Sequence, residues 1–248
     1  MPTSSSSPLG SLDCRVFGRG RPLVLLHGIQ GTAEAWMPVA QRLAATHRCV
    51  LPNLPGRAAS PRWRTADDGP IERYYHLDHY ADLLHELLQA IGQPVALAGW
   101  SMGVSVILRM AALHGLDAVE RLVLVSGTMR AGPPEATWFH AADIEALRTE
   151  AQQRAERLGL TQVADAEAVA WSWQSARGLD LAAGAARIQR PTLVVHGETD
   201  DQCPLSHGRA LADAVAGSHW LPLPGVGHNV LSAEPARLAA AMTAENPR

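Results

Sequence analysis

Ser101 lies in the pentapeptide Gly99-Trp100-Ser101-Met102-Gly103, between an apolar run at 94–98 and a helix-like segment at 103–114. A serine hydroxyl is a poor nucleophile at neutral pH, so it must be exposed, rigidly held and placed beside a base. A sharp strand-to-helix turn meets the first two needs. Only small residues two before and two after the serine fit such a turn, here Gly99 and Gly103. The turn also aims the unsatisfied amides of a helix N-terminus at charge developing on a substrate. A Gly-rich turn without chemistry would carry the same five letters, so the partners decide the reading.

A serine nucleophile needs a general base within hydrogen-bond reach, and that base needs an acid to fix its tautomer. In a parallel sheet, functional groups gather past the carboxyl ends of the strands. Two loops fit. The run 192–196 leads into Gly197-Glu198-Thr199-Asp200-Asp201-Gln202-Cys203-Pro204, which is rich in carboxylates. The run 219–223 leads into Pro224-Gly225-Val226-Gly227-His228-Asn229. The chain order is then Ser101, Asp200, His228, with Glu198 and Asp201 as competitors for the acid. The segment Ser126-Gly127-Thr128, after another strand, offers no acid. For an oxyanion the donors expected are the amide of Met102 and that of Ile29, in His27-Gly28-Ile29-Gln30-Gly31.

These loops need a scaffold. Short apolar runs at 23–27, 49–51, 95–98, 121–125, 192–196 and 219–223 alternate with amphipathic stretches at 34–45, 77–91, 103–114, 206–216 and 232–244, and 13–18 is one further strand candidate. Such alternation predicts an α/β fold, a mostly parallel sheet flanked by helices. In 77–91 the residues Tyr80, Leu83, Leu84, Leu87, Leu88 and Ile91 recur at helical spacing. Residues 130–187 break the rhythm: helical periodicity, no strand signal, and the aromatics Trp138, Phe139, Trp171 and Trp173. This is too long for a plain crossover, so 130–187 is read as a helical lid inserted in a core of 11–129 and 188–248.

The 248-residue chain is 47% hydrophobic and 18% charged, with net charge −3 and no basic run, which argues against nucleic-acid or anionic-membrane partners. All its basic side chains other than histidine are arginine, which excludes a Schiff-base lysine and a Ser-Lys dyad. Cys14, Cys49 and Cys203 cannot all pair and have no C-x-x-C spacing, so they are expected as reduced core residues of a soluble, cytoplasmic protein. Residues 1–10 lack a basic and an apolar region and are expected to form a disordered tail. No apolar stretch reaches the ~18 residues of a membrane span.

On Leu26-His27-Gly28 with Trp36 downstream, the serine pentapeptide, Gly197-x-x-Asp200-x-x-x-Pro204 and Gly225-x-Gly227-His228, the chain resembles the α/β-hydrolase superfamily over nearly its whole length. The resemblance is to the branch of small esterases, lactonases and C–C hydrolases. It departs from the family where Asp-x-Pro-Gly-x-Gly-x-Ser is common: here Asn53 replaces the Asp and Ala58 the second Gly. Val104 replaces a Gly that often follows the pentapeptide, and only one strand candidate precedes 23–27.

The reading is a serine hydrolase of a carboxylic ester, lactone or thioester (EC 3.1.1), acting through an acyl-enzyme on a small apolar or aromatic substrate, with no cofactor. The alternative is a C–C hydrolase or lyase in which the same three residues move protons. An acidic substrate would then call for Arg57, Arg62, Arg64 or Arg130 at the pocket. A binder without catalysis would be marked by loss of one of the three residues, and all are present. Trp100, Trp171 and Trp173 are candidates for substrate contact. His27 and His196 are read as structural and His76, His79 and His85 as exposed; no metal site is expected. Asp67 and Asp68 need no special role.

Overall fold

The computed structural model describes residues 11–63, 69–132 and 138–244. Residues 1–10, Arg64, Asp67 and Asp68 lie outside them. Seven strands form one sheet: β1 (Cys14–Gly18), β2 (Arg21–Leu26), β3 (His47–Pro52), β4 (Val95–Trp100), β5 (Val119–Val125), β6 (Thr192–Gly197) and β7 (His219–Leu223). Their order is β1-β3-β2-β4-β5-β6-β7, with β1 antiparallel and the rest parallel.

The central strands read as continuous apolar runs because both faces are covered. Side chains alternate between two cores. Val24, Leu26, Leu97, Leu122, Leu124 and Val194 enter one; Leu23, Leu25, Ala96, Ala98, Val123 and Val195 enter the other. The first core is closed by α2 (Leu77–Ile91) and α3 (Met102–His114), the second by α1 (Met37–Leu43) and α9 (Pro235–Thr243). The stripe expected on α2 is buried at Tyr80, Leu83, Leu84, Leu87 and Leu88, while Ile91 is half-buried where Gly92 ends the helix at φ +70°. No helix among the described residues is long and apolar enough to cross a membrane.

Between β5 and β6 lie α4 (Ile144–Arg157), α5 (Ala166–Ala176) and α6 (Ala182–Ala186). The first two pack on each other, and two backbone bonds pin them over the strand ends: Ala164 N–H to Gln30 O at 3.0 Å and Asp165 N–H to Gly56 O at 2.9 Å. The third packs on α3 so closely that a Cβ at Gly184 would lie 2.0 Å from Leu108 O. Thus α6 flanks the sheet, whereas α4 and α5 sit over its carboxyl edge. After β6 come α7 (Leu205–Ala214) and, after β7, the short α8 (Val230–Ala233) before Pro235 starts α9.

One departure from the family pattern, Asn53, is accounted for by its contacts. Asn53 accepts from Ala33 N–H at 2.8 Å and donates to the Asp13 carboxylate at 3.0 Å. An aspartate there would face Asp13 within hydrogen-bond distance, so the amide is what Asp13 allows. Ala58 is exposed and has φ +46°, a left-handed conformation suited to glycine. Ala58→Gly is expected to stabilise the fold by about 0.5–1 kcal/mol, since relief of the strain exceeds the added freedom of the unfolded chain. Guanidinium unfolding midpoints would measure it, and an unchanged or lower midpoint would contradict the strain argument.

Candidate active site

The turn from β4 into α3 holds Ser101 at φ +54°, ψ −121°. Its neighbours explain why only glycine serves on either side. A Cβ on Gly103 would lie 2.4 Å from Leu26 O, and one on Gly99 would lie 2.7 Å from the Gly103 carbonyl. The loop after β2 presses against the same turn, because a Cβ on Gly28 would come within 3.3 Å of Ser101 Cβ.

Three side chains from three strand ends meet here. Ser101 Oγ is 3.0 Å from His228 Nε2, and His228 Nδ1 is 3.0 and 2.9 Å from the two oxygens of Asp200. With its Nδ1–H donated to the carboxylate, the imidazole turns an Nε2 lone pair to the serine hydroxyl. Asp200 Oδ1 also accepts from Gln202 N–H at 2.9 Å and Cys203 N–H at 2.8 Å. Burial alone would raise this carboxyl, but His228 and the two amides outweigh it and hold Asp200 below the usual carboxylate range. Glu198 and Asp201 are exposed and stay out of this network.

His196 is fully buried, 2.7 Å from Cys203 O and 3.4 Å from Asp200, and burial lowers its pKa. Trp100 secures the other side: its indole N–H donates to His228 O at 3.1 Å and the two rings are 5.5 Å apart.

The Ile29 amide is aimed by its own peptide unit. His27 Nδ1 donates to Gly28 O at 2.8 Å, while its Nε2 accepts from Leu54 N–H at 3.1 Å. In a trans peptide the C=O and N–H point opposite ways, so pinning the Gly28 carbonyl directs the Ile29 N–H away from His27. Met102 is the first residue of α3, where no intrahelical acceptor exists. Neither amide has a protein acceptor among the described residues.

Ser101 and His228 open onto a cavity of about 660 Å³ lined also by Ile29, Gln30, Trp100, Trp138, Arg154, Leu158, Leu160 and Gln202. Of the candidate tryptophans only Trp100 lines it. Trp173 is fully buried, with its ring 5.2 Å from Trp138 and 5.9 Å from Phe139; Trp171 donates to Glu167 at 2.6 Å. The reason is the orientation of the segment: α5 packs between α4 and α2, and the end of α4 with the residues after it forms the cavity wall. That wall is also less apolar than expected, since α4 brings Arg154 into it.

None of the arginines considered for an acidic substrate lines the cavity among the described residues. Arg57 is fully buried behind the loop, donating to Ile29 O and Pro55 O, both at 2.6 Å, and to Tyr80 Oη at 2.8 Å. Arg62 pairs with Asp165 and Arg130 with Asp180. His76, His79 and His85 are half-buried rather than exposed; His79 meets the Trp63 and Tyr74 rings and His85 stacks on His114. Cys14, Cys49 and Cys203 are free and buried.

Burial, helped by Arg57, lowers His27 from 6.5 to about 3. Between those values the unfolded chain binds a proton the folded one refuses. This stabilisation is complete above the unfolded pKa and fades as pH falls toward the folded one, by up to about 1.4 kcal/mol per pH unit. Below about pH 6, wild-type stability is therefore expected to fall with pH more steeply than that of His27→Gln. Equal slopes in guanidinium titrations would remove His27 as the responsible group.

Residues 23–241 match the model described as the alpha/beta hydrolase family. The pimeloyl-[acyl-carrier protein] methyl ester esterase of Chromobacterium violaceum is 30% identical over 88% of this chain and 91% of its own. Protein PHYLLO, chloroplastic, of Arabidopsis thaliana is 29% identical over 50% of this chain, a match that spans only 7% of that protein. In shape the chain is similar to the esterase EaEST from Exiguobacterium antarcticum, with TM-score 0.77, 22% identity and 98% of each chain covered.

Proposed function

Since the chain belongs to the alpha/beta hydrolase family, we propose that it is a serine hydrolase of small carboxylic esters, lactones or thioesters, with Ser101 as nucleophile, His228 as base and Asp200 as its orienting acid. The observation that carries this reading is the unbroken chain of contacts from Asp200 through His228 to a Ser101 hydroxyl facing the cavity. His228 removes the serine proton as Oγ attacks the acyl carbon, and Asp200 stabilises the imidazolium. The amides of Ile29 and Met102 receive the oxyanion. The C–O or C–S bond then breaks and His228 returns the proton to the leaving group. Water, deprotonated by the same imidazole, cleaves the acyl-enzyme to the acid and frees Ser101.

In this reading α4 and α5 act as a lid. The end of α4 and the residues after it roof the cavity, α5 packs behind them, and neither contributes to the proton path.

Stopped-flow hydrolysis of p-nitrophenyl acetate and butyrate tests the proposal. Wild type is expected to release a burst of p-nitrophenol equal to the enzyme concentration, and Ser101→Ala none. Asp200→Asn is expected to lower kcat by about 10³–10⁴-fold, because the imidazole then loses its tautomer. Labelling of Ser101 by a fluorophosphonate without any burst would point instead to C–C cleavage or elimination. No labelling at all would overturn the nucleophile assignment.

A further inference from the structure

Besides the neutral His228, whose ring is bonded to Asp200, two charged side chains line the cavity, Glu34 and Arg154, and Glu34 has its counter-charge in Arg15. Arg154 has no carboxylate within ion-pair distance among the described residues. Its guanidinium is held by neutral oxygens, with Nη1 donating to Gln30 Oε1 and Nη2 to Gln202 Oε1 at 2.8 Å, and it lies 5.7 Å over the Phe139 ring. Gln30 is itself fixed, its Nε2 donating to Ala151 O at 2.8 Å, so its oxygen is committed to Arg154.

The other charges near Arg154 do not neutralise it at contact. Glu150 is turned to the amides of His140 and Ala141, each at 2.9 Å, and Asp201 and Arg157 are exposed. Burial draws the arginine below its ordinary pKa, helped by the like charge of Arg157 and opposed by Asp201 and Glu150. A guanidinium has five N–H donors in a planar fork suited to carboxylate, and two are taken by the glutamines. A partly desolvated cation with open donors on a cavity wall is completed by an anion entering that cavity.

We propose that the substrate carries a carboxylate on its acyl chain, remote from the scissile bond, and that Arg154 binds it across the cavity from Ser101. The inference rests on the reading of Ser101 as an acyl-accepting nucleophile. The same lining offers Ile29, Trp100, Trp138 and Leu160 to an apolar stretch of the acyl chain. A purely structural Arg154, tying α4 to the loops after β2 and β6, would leave the choice between charged and neutral acyl chains unaltered.

The test compares mono-p-nitrophenyl adipate and suberate with p-nitrophenyl hexanoate and octanoate, in wild type, Arg154→Gln and Arg154→Lys. Wild type is expected to favour the carboxylated ester of the better chain length by about tenfold or more in kcat/KM. Arg154→Gln should bring that ratio close to one. Arg154→Lys should retain part of it and carries the test if the glutamine variant does not fold. A wild-type ratio at or below one, or a ratio unchanged by both variants, overturns the proposal.

Binding is read separately from turnover. Adipate or suberate should raise the melting temperature of Ser101→Ala and not that of Ser101→Ala/Arg154→Gln. If Ser101 takes no fluorophosphonate and no ester is cleaved, the nucleophile reading fails, whereas this melting shift still decides the anion site. No shift, or the same shift in both proteins, overturns it.

Discussion

Ser101 is held at φ +54°, ψ −121°, a backbone state that costs on the order of 1–3 kcal/mol and persists only where its surroundings over-determine it. Here they do. Its amide continues the sheet ladder to Val125 O at 2.9 Å, its carbonyl accepts from Val104 N–H at 2.9 Å, and Gly103 brings the start of α3 against Leu26 O. The strain cannot relax without pulling α3 off the end of β2. Because Leu26 leads directly into His27, Gly28 and Ile29, the contact that fixes the serine also fixes the loop beside it. Position of the hydroxyl and position of the Ile29 amide are thus one constraint.

Buried polar groups brace that loop from behind. Trp36 donates to Leu26 O at 2.9 Å, His27 spans Gly28 and Leu54, and Arg57 holds Ile29 O. Each is a group that costs free energy to bury unless bonded, and each places one bond on a backbone carbonyl of the segment from Leu26 to Ile29. The positive Arg57 beside His27 adds to burial in keeping the imidazole neutral, and a neutral imidazole is the form able both to donate to Gly28 and to accept from Leu54. The polar core behind the site is therefore a set of mutually dependent protonation states and directions.

What could be read from the chain follows from how local its causes are. The strands were legible because a sheet buried on both faces demands apolar runs, and α2 because one apolar stripe faces one core. That Ser101, Asp200 and His228 meet is legible because each lies in the turn or loop that follows such a run. Trp171 and Trp173 misled: two large aromatics in one amphipathic helix read equally well as pocket or core, and only the packing of α5 between α4 and α2 decides. Arg57 and Arg154 had no local signature. Asn53 became intelligible only beside Asp13, forty residues away in sequence.

The cavity is assembled from two sources with different freedom to vary. Ser101, His228, Asp200 and the Ile29 loop stand on strand ends locked by ladder bonds and close backbone packing. The opposite wall belongs to α4 and the residues after it, joined to the core by Ala164 to Gln30, by Asp165 to Gly56 and by the Arg154 bridge to Gln30 and Gln202. Gln30 takes part in two of these attachments, through its carbonyl and its side chain, and lies one residue after Ile29. Any change in how α4 sits is therefore transmitted to the Ile29 loop, so on the proposed reading acyl-chain recognition at Arg154 and charge stabilisation at Ile29 are mechanically coupled. That coupling favours an acyl group long enough to reach Arg154 over a short one with the same ester. Its remote carboxylate would steady Gln30 as well as add a contact, and the interaction would then appear in kcat as well as in KM.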